Sequence, residues 1–355
     1  MADPLDLRDY ERIAPGRMSE MAWEYLRGGA ADEQTLRWNE EAYQRLRLMP
    51  RHLVDVARID TGLGLLGSRL SHPVMLAPVA YQKLMHDDGE LEMVRGANAA
   101  EAAVVLSSFS TVTLEEVAAQ ARVPLWFQLY IQPDREFTRR LVGRAEASGY
   151  TALVVTADTP VLGARYREQR VSFALPPGMV QANLKGLSTA TGDHRPKGMD
   201  IYSAVLDPSL SWKDIGWLRS ITRLPIVLNG ILNPDDAGRA VEAGASCLIV
   251  SNHGGRNLDT VPATIDALPA VAARVAGRIP VLVDGGIRRG TDVMKAIALG
   301  ASAVLIGRPY VHGLAVGGAG GVAHVVRILR RELEMAMALS GRTSLSQIDA
   351  SLVLR

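Results

Sequence analysis

A histidine and an arginine, separated by two glycines, stand where an apolar run that predicts a buried strand becomes a loop. The stretch 251–256 reads Ser-Asn-His-Gly-Gly-Arg. His253 can accept a proton at neutral pH, and Arg256 offers a planar fork that binds a carboxylate through two hydrogen bonds. The pair therefore indicates acid–base chemistry on a small carboxylate substrate. Taken alone, the stretch also fits a structural loop with a surface arginine.

Two glycine–arginine turns follow the last two predicted strands, at residues 284–290 and 307–309. Glycines let a phosphate approach backbone N–H groups, and the start of the following helix favours an anion. Arginine adds bidentate contacts. Because phosphate sites in α/β barrels commonly lie after strands seven and eight, the turns predict a phosphate site. Tight turns that bind no ligand are the alternative.

Other polar side chains recur at the ends of predicted strands. They are Ser107, Ser108, Gln128, Tyr130, Thr156, Asp158 and, shortly afterwards, Arg165. Gln128 and Tyr130 have strand spacing and therefore point to the same side. A buried glutamine needs hydrogen-bond partners, which a polar heterocycle would supply. Each residue alone also fits a satisfied core position, but the recurrence favours a bound cofactor.

The elements that must position these residues follow an alternating pattern. Eight short apolar runs predict strands at residues 74–79, 104–107, 125–130, 152–157, 225–229, 247–251, 281–284 and 303–306. Helical periodicity between them is clearest at residues 114–121, 138–147, 234–243 and 291–299. The pattern predicts a (β/α)8 TIM barrel, with an open doubly wound sheet as the rival. Residues 62–67 have the spacing of a dinucleotide-binding loop but lack the flanking strand and helix, so they predict a turn.

We expect residues 1–355 to form a single domain. Two segments of the chain do not follow the alternating strand–helix pattern. Residues 1–70 predict a helical N-terminal extension. Residues 176–212 are rich in Gly, Pro, Ser, Asp and Lys and predict a long loop after the fourth strand. Such a loop is often an active-site lid. A disordered surface loop without a functional role is the alternative. Residues 322–339 predict an amphipathic helix on the barrel.

Composition limits the class of protein. The 355 residues carry a formal net charge of +1, which gives no general affinity for nucleic acid or anionic membranes. The single cysteine allows no internal disulfide, the N-terminal residues do not resemble a signal peptide, and no apolar stretch approaches the ~18 residues of a membrane span. There is no zinc motif. We expect a cytoplasmic protein without a metal.

Five segments match one known family in order and spacing. They read Ala-Pro-Val-Ala at 77–80, Phe-Gln-Leu-Tyr at 127–130, Thr-Ala-Asp-Thr-Pro at 156–160, the stretch 251–256 and the turn 284–290. Within a likeness that runs from residue 25 to residue 341, they resemble the FMN-dependent 2-hydroxy-acid oxidases and dehydrogenases, such as glycolate oxidase, lactate oxidase and mandelate dehydrogenase. The resemblance implies a TIM barrel that uses FMN to oxidise an (S)-2-hydroxy acid to the 2-keto acid.

The same resemblance implies roles for individual residues. His253 would be the catalytic base and Asp158 would stabilise its imidazolium form. Tyr130 would bond the substrate hydroxyl region. Besides these, the substrate would contact Tyr25, Tyr81, Phe109, Arg165 and Arg256, with the two arginines on its carboxylate. FMN would contact Pro78, Val79, Ala80, Ser107, Gln128, Thr156, Asn229, Ser251, Asp284, Gly285, Gly286, Arg288, Gly307 and Arg308.

The chain departs from the family pattern at Asn229, where the fifth strand usually ends in Lys-Gly. The family's lysine faces the flavin edge on which negative charge develops on reduction, and Asn229 brings no charge there. Because charged hydrogen bonds are about twice as strong as neutral ones, we expect a lower flavin reduction potential and slower substrate oxidation. The departure also fits altered chemistry or an impaired variant.

The substrate pocket differs from the glycolate type. Tyr81 and Phe109 would supply aromatic walls and, with the preceding Ala-Pro-Val-Ala, resemble the hydroxymandelate oxidase branch, which favours a mandelate-like aryl substrate over a lactate-like one. Ordinary core packing is the alternative. In this family, an alanine rather than a glycine at the position of Ala80 is more common in the oxidases. Ala80 therefore points to O2 as the electron acceptor, which would give H2O2.

Other functions stay open. A flavin monooxygenase or oxidative decarboxylase, or a tailoring enzyme on a larger substrate, would keep FMN and change the reaction. A flavin-binding barrel without activity is disfavoured by the retained catalytic residues. No basic stripe supports nucleic-acid binding. The resemblance implies a homotetramer, and the sequence does not decide whether the α-hydrogen leaves as hydride or proton.

Overall fold

The computed structural model describes residues 4–187, 201, 203 and 205–354. Eight parallel strands form a closed barrel in the order β7-β8-β1-β2-β3-β4-β5-β6. The strands are β1 Val74–Leu76, β2 Val104–Leu106, β3 Leu125–Leu129, β4 Ala152–Thr156, β5 Ile226–Asn229, β6 Cys247–Val250, β7 Val281–Asp284 and β8 Ala303–Ile306. All eight lie within the predicted apolar runs. The closure confirms the TIM barrel and excludes the doubly wound sheet.

The strands are buried almost throughout, because one face lines the barrel interior and the other packs against helices. This explains why their sequences are continuously apolar rather than alternating. The register pairs Thr156 at the end of β4 with Asn229 at the end of β5. Side chains that follow the strand ends therefore meet at one mouth of the barrel.

The helices are α1 Leu7–Ile13, α2 Glu20–Arg27, α3 Gln34–Arg45, α4 Glu90–Ala100, α5 Leu114–Gln120, α6 Arg135–Ala147, α7 Tyr166–Arg170, α8 Trp212–Ile221, α9 Pro234–Glu242, α10 Thr264–Val275, α11 Gly290–Ala298 and α12 Arg308–Leu339. The four helical segments predicted most clearly are confirmed as α5, α6, α9 and α11. Thr113 caps α5 in a capping box, and Asn233 caps α9 through a bond from Asp235 N–H, as side-chain oxygens at helix starts do.

The turn predicted at residues 62–67 is confined to Leu66 and Gly67, because residues 63–65 form a short strand. Leu63–Leu65 and Ser68–Leu70 pair as an antiparallel hairpin, with Leu66 and Gly67 at positive φ between them. Leu65 and Leu70 pack with side chains of the barrel interior, including Met75 and Trp126. The hairpin therefore closes one end of the barrel core rather than holding a nucleotide.

The predicted C-terminal helix is part of the longer α12, which is interrupted at Gly317 and Gly318. The expectation that no segment reaches the length and apolarity of a membrane span was wrong, because α12 meets both criteria. However, 61% of its most apolar window is buried inside the protein, and the helix packs against α1, α4 and α11. This is the pattern of a core helix.

Two segments outside the barrel bear on its mouth. The N-terminal extension supplies α1, α2 and α3, and α2 contacts α7. The start of the long insertion is held to the loop after β2, since Ala182 N–H donates to the Ser110 carbonyl and Asn183 Nδ2 donates to Ser110 Oγ. Residues 188–200, 202 and 204 of the predicted 176–212 lid lie outside the described residues.

Candidate active site

A cavity of about 430 Å³ opens at the C-terminal mouth of the barrel. Every site residue that the sequence predicted, except Asp158, lines it. Asp158 lies behind His253, at the position that the resemblance implied. The structure thus brings together residues from all eight strand ends and from the N-terminal extension.

His253 has an acceptor on one side of its ring and the cavity on the other. Its Nδ1 lies 3.1 Å from Asp158 Oδ1 and 3.3 Å from Thr159 Oγ1. Thr159 also donates to Asp158 Oδ1 at 2.9 Å, and Asn257 Nδ2 donates to Thr159 Oγ1 at 2.7 Å. Among the described residues, no hydrogen bond engages His253 Nε2. The dyad therefore presents Nε2 as the basic atom and holds a carboxylate where an imidazolium would need one.

The loop that carries His253 has an unusual backbone. His253, Gly254 and Gly255 all have positive φ, at 58°, 63° and 73°. For histidine this left-handed conformation is uncommon and costs energy. The Oγ of Ser251 accepts the His253 N–H, and Asn252 Oδ1 accepts the Gly255 N–H. With this backbone conformation, the His253 side chain lies at the wall of the cavity.

An amide pair ties this loop to the N-terminal extension. Asn39 Nδ2 donates to Asn252 Oδ1 at 2.9 Å, and Asn252 Nδ2 donates to Asn39 Oδ1 at 2.8 Å. Both side chains are buried. Sequence reasoning missed this pair and the role of Thr159, because nothing in the local pattern marks partners that are 213 residues apart, as in the pair, or 94 residues apart, as for Thr159 and His253.

Two guanidinium groups meet at the substrate end of the cavity. The Nη1 of Arg256 donates to the carbonyls of Tyr25 and Gly28, and its Nη2 donates to Glu168 Oε1. The Nε of Arg165 donates to the Arg256 carbonyl at 3.2 Å. The guanidinium of Arg256 also lies 4.9 Å from the ring centroid of Tyr25, within cation–π range. Burial, and then the charge of Arg165, lower the pKa of Arg256, as expected for two adjacent cations that attract an anion.

Aromatic rings wall the same end. Tyr25 stacks on Phe173 with centroids 4.7 Å apart, and Phe109 lies 4.8 Å from Tyr130. Tyr81 and Phe109 are parallel at 6.3 Å. Burial, followed by the charge of Asp158, raises the pKa of Tyr130, so its hydroxyl keeps its proton. Phe173 was not predicted, since it follows α7 in a segment without a clear pattern.

The insertion contributes a polar contact to this wall. Gln181 Nε2 donates to the Tyr81 hydroxyl at 2.6 Å, and burial raises the pKa of Tyr81 to about 12. Both residues line the cavity. The described beginning of the predicted lid therefore forms part of the pocket.

Gln128 differs from the sequence-based expectation. Its Oε1 accepts from Ser108 N–H at 3.0 Å, and its Nε2 donates to Thr156 Oγ1 at 2.9 Å. The buried amide is satisfied by the protein itself, so its burial is no argument for a heterocycle. By contrast, Asn229 Oδ1 and Asp284 Oδ1 are buried without a hydrogen-bond partner in the part of the chain that the structure describes, and both residues line the cavity. These orphaned atoms are the ones that a bound polar molecule would satisfy.

The predicted phosphate turns are crowded on one side and positively charged on the other. A Cβ at Gly286 would lie 1.8 Å from the Asn39 carbonyl oxygen, so only glycine fits against α3. Arg288 pairs with Glu40 at 2.8 Å. Arg308 uses three of its five N–H groups on the carbonyls of Leu26, Gly28 and Gly254.

The charge at these turns is not balanced. Burial and the nearby Arg256 and Arg288 lower the pKa of Arg308 to about 9. Its own burial, followed by the charges of Arg288 and Arg308, lowers the pKa of His312 to about 3. A buried guanidinium without a carboxylate partner is costly unless an anion joins it. The turns, the orphaned Asp284 oxygen and this positive potential fit a phosphate-bearing cofactor such as FMN.

Comparison with known proteins identifies the family. Residues 14–355 match the family described as FMN-dependent dehydrogenase. The chain is 50% identical to an L-lactate oxidase of Nostoc sp., over 99% of this chain and 98% of that protein. It is 47% identical to glycolate oxidase 1 of Oryza sativa subsp. indica, over 98% and 95% of the two chains.

Solved structures agree. A crystal structure of mandelate oxidase with benzoyl-formic acid superposes with a TM-score of 0.89 at 40% identity, covering 99% of this chain and 98% of that one. A second, of mandelate oxidase with (S)-2-phenylpropionate, gives the same TM-score and identity. The chain therefore belongs to the FMN-dependent dehydrogenase family and is an FMN-dependent 2-hydroxy-acid oxidase.

Proposed function

We propose that the protein oxidises an (S)-2-hydroxy acid with an aryl side chain to the 2-keto acid, with His253 as the base and O2 as the electron acceptor. The observation that supports it most is the His253–Asp158 pair, whose free Nε2 faces a cavity that Arg165 and Arg256 share. Bound FMN would supply the site that accepts the two electrons, together with the α-hydrogen, that are lost when the hydroxyl-bearing carbon becomes a carbonyl.

The protein's own groups would fix the substrate by its two ends. Arg165 and Arg256 would hold the carboxylate through charged, forked hydrogen bonds. That contact would set the hydroxyl near His253 Nε2 and the Tyr130 hydroxyl. The acid–base step would then move the hydroxyl proton to Nε2, while Asp158 stabilises the charge gained, an arrangement that contributes roughly 10²–10⁴-fold.

The aromatic wall supports an aryl substrate. Tyr81, Phe109 and Phe173 would pack against a ring, and offset or edge contacts of this kind favour aromatic over short aliphatic side chains. We expect mandelate to react faster than lactate, and lactate faster than glycolate.

The test is turnover in air with these three acids, each as the (S) form where it is chiral. We expect benzoylformate and one H2O2 per (S)-mandelate. Because free H2O2 decarboxylates 2-keto acids without an enzyme, the products are also analysed with catalase present; benzoate and CO2 that still form there would contradict the oxidase reaction and indicate a monooxygenase. No reaction with any of the acids, in protein that carries FMN, would overturn the proposal and favour a larger substrate or an impaired enzyme.

The assembly that the family resemblance implies and the location that the composition predicts are proposals too. We propose that residues 1–355 act as one domain in a cytoplasmic homotetramer without nucleic-acid or membrane partners. Light scattering of the purified protein would give four times the chain mass if the tetramer forms.

A further inference from the structure

Glu168 lies between the two arginines that are proposed to hold the substrate carboxylate. Its Oε1 accepts from Arg256 Nη2 at 2.8 Å and lies 3.6 Å from Arg165 Nη1. The three side chains are 14–15% exposed, and all three line the cavity. The substrate end therefore already contains one carboxylate of its own.

The position of Glu168 is built into the fold. Glu168 belongs to α7, and the neighbouring Arg167 bonds Glu33 through Nε at 2.6 Å and Nη2 at 2.9 Å. Arg167 also pairs with Glu24 of α2 at 3.4 Å. These contacts fix α7 against the N-terminal extension. The carbonyls of Tyr25 and Gly28 fix Arg256 from the other side, so neither partner of the Arg256–Glu168 pair is free to move away.

The charges at this end can be counted. Two guanidinium groups and one carboxylate give +1, which one substrate carboxylate neutralises. A second carboxylate on the substrate would enter a neutral site that already holds Glu168. At the short distances of a cavity with low dielectric, like charges repel strongly.

We infer that Glu168 sets the charge of the carboxylate subsite and thereby selects 2-hydroxy acids with one carboxylate over those with two. The inference rests on the proposed function, because it assumes that the substrate carboxylate binds Arg165 and Arg256. Glu168 acts through the two arginines and through the field in the cavity, so it is a positioning and selectivity residue rather than a catalytic one.

The test compares the binding of acetate and malonate to the FMN-loaded enzyme, followed by the change in the flavin absorption spectrum. Any loss of arginine orientation in Glu168→Gln would weaken both ligands alike and cancel in the ratio of their dissociation constants. The change in charge acts more strongly on the dianion. We expect the ratio to shift toward malonate by about tenfold or more.

Two further variants separate charge from structure. Glu168→Asp keeps the charge and should keep the wild-type ratio. Glu24→Gln removes a carboxylate that is equally buried, with 14% side-chain exposure, and pairs with Arg167 instead of the subsite arginines; it should also keep the ratio. An unchanged ratio in Glu168→Gln, or a shift of equal size in Glu24→Gln, would overturn the inference.

Failure of the proposed function would look different. In that case acetate would bind Arg165→Met as tightly as the wild type, which would show that the arginines do not hold the carboxylate and would remove the basis of the inference as well.

Discussion

Arg256 and Arg308 both donate to the carbonyl oxygen of Gly28, each at 2.8 Å, yet the two arginines differ in whether a carboxylate pairs with them. At the substrate end, Arg256 is paired with Glu168. At the phosphate end, Arg308 has only carbonyl partners among the described residues, and its pKa is lowered to about 9 by burial and by neighbouring arginines.

The difference matches what each end must do. A substrate carboxylate enters and leaves in every turnover, and an arginine that is already paired with Glu168 lets it exchange. A cofactor phosphate carries about two negative charges and should stay, and a buried cation without a carboxylate partner makes its release costly. The shared Gly28 carbonyl means that residues 25–28 of the extension position both ends at once.

Arg165→Met tests the substrate end and should have the largest effect of the substitutions that compare the two ends. Loss of one charged hydrogen bond, worth about 1.5–3 kcal/mol, predicts that kcat/KM falls by roughly tenfold to a hundredfold, mostly through KM. FMN binding should be unchanged, since among the described residues the Arg165 side chain forms hydrogen bonds and ion pairs only with the 256–257 loop and Glu168. Steady-state kinetics and FMN titration check this, and an equal loss of FMN affinity would show that the two ends are not separate.

Arg308→Lys tests the phosphate end. A lysine keeps the charge but cannot reach three carbonyls and a phosphate with one ammonium group. We expect FMN to dissociate about tenfold faster while the KM of the flavin-loaded enzyme changes little. Fluorescence of released FMN measures the rate. If KM rose by the same factor as the rate of FMN dissociation, Arg308 would not act on the phosphate end alone.

Asp284 gives a pH dependence to the phosphate end. Burial raises its pKa to about 7, so ionising it costs the folded state stability. The cost is absent below about pH 4, the pKa of an unfolded Asp, and grows as the pH rises through about 7.

In protein freed of FMN, Asp284→Asn should therefore melt near the wild type at pH 4.5 and several degrees higher at pH 8. Thermal unfolding at both pH values measures this. A variant that is equally destabilised at both would show that Asp284 is ionised and well paired in the wild type.

Asn229→Lys should have the smallest effect. Among the described residues, none forms a hydrogen bond to Asn229 Oδ1, and none of those that line the cavity is a lysine. Adding a cation should raise the two-electron potential of bound FMN by about 30 mV, which corresponds to a tenfold change in equilibrium. A redox-dye titration measures it. No change would mean that Asn229 does not face the reducible edge.

The barrel could be predicted in detail because strands buried on both faces leave continuous apolar runs, and β7 and β8 coincide with the predicted residues. The glycine–arginine turns could be predicted as well, because they directly follow two of these apolar runs. Asp158 was placed beside His253 only through family resemblance, since 95 residues separate them.

Glu168, Phe173 and Gln181 could not be predicted from the sequence. Glu168 looks like one more charge on a short surface helix, and only the docking of α7 on α2 brings it to Arg256. Phe173 and Gln181 reach the cavity because the chain after β4 folds back over the barrel mouth. The positive φ of His253 could not be predicted either, because it depends on the hydrogen bonds that Ser251 and Asn252 accept from the loop backbone.

The most direct test of the central claim is anaerobic stopped-flow reduction of bound FMN by (S)-mandelate, in the wild type and in His253→Gln. If the His253–Asp158 pair is the base and the arginines hold the carboxylate, the wild-type flavin band will bleach. The variant will bleach about 10²–10⁴-fold more slowly with a similar dissociation constant for mandelate. A variant that reduces its flavin as fast as the wild type would contradict the account.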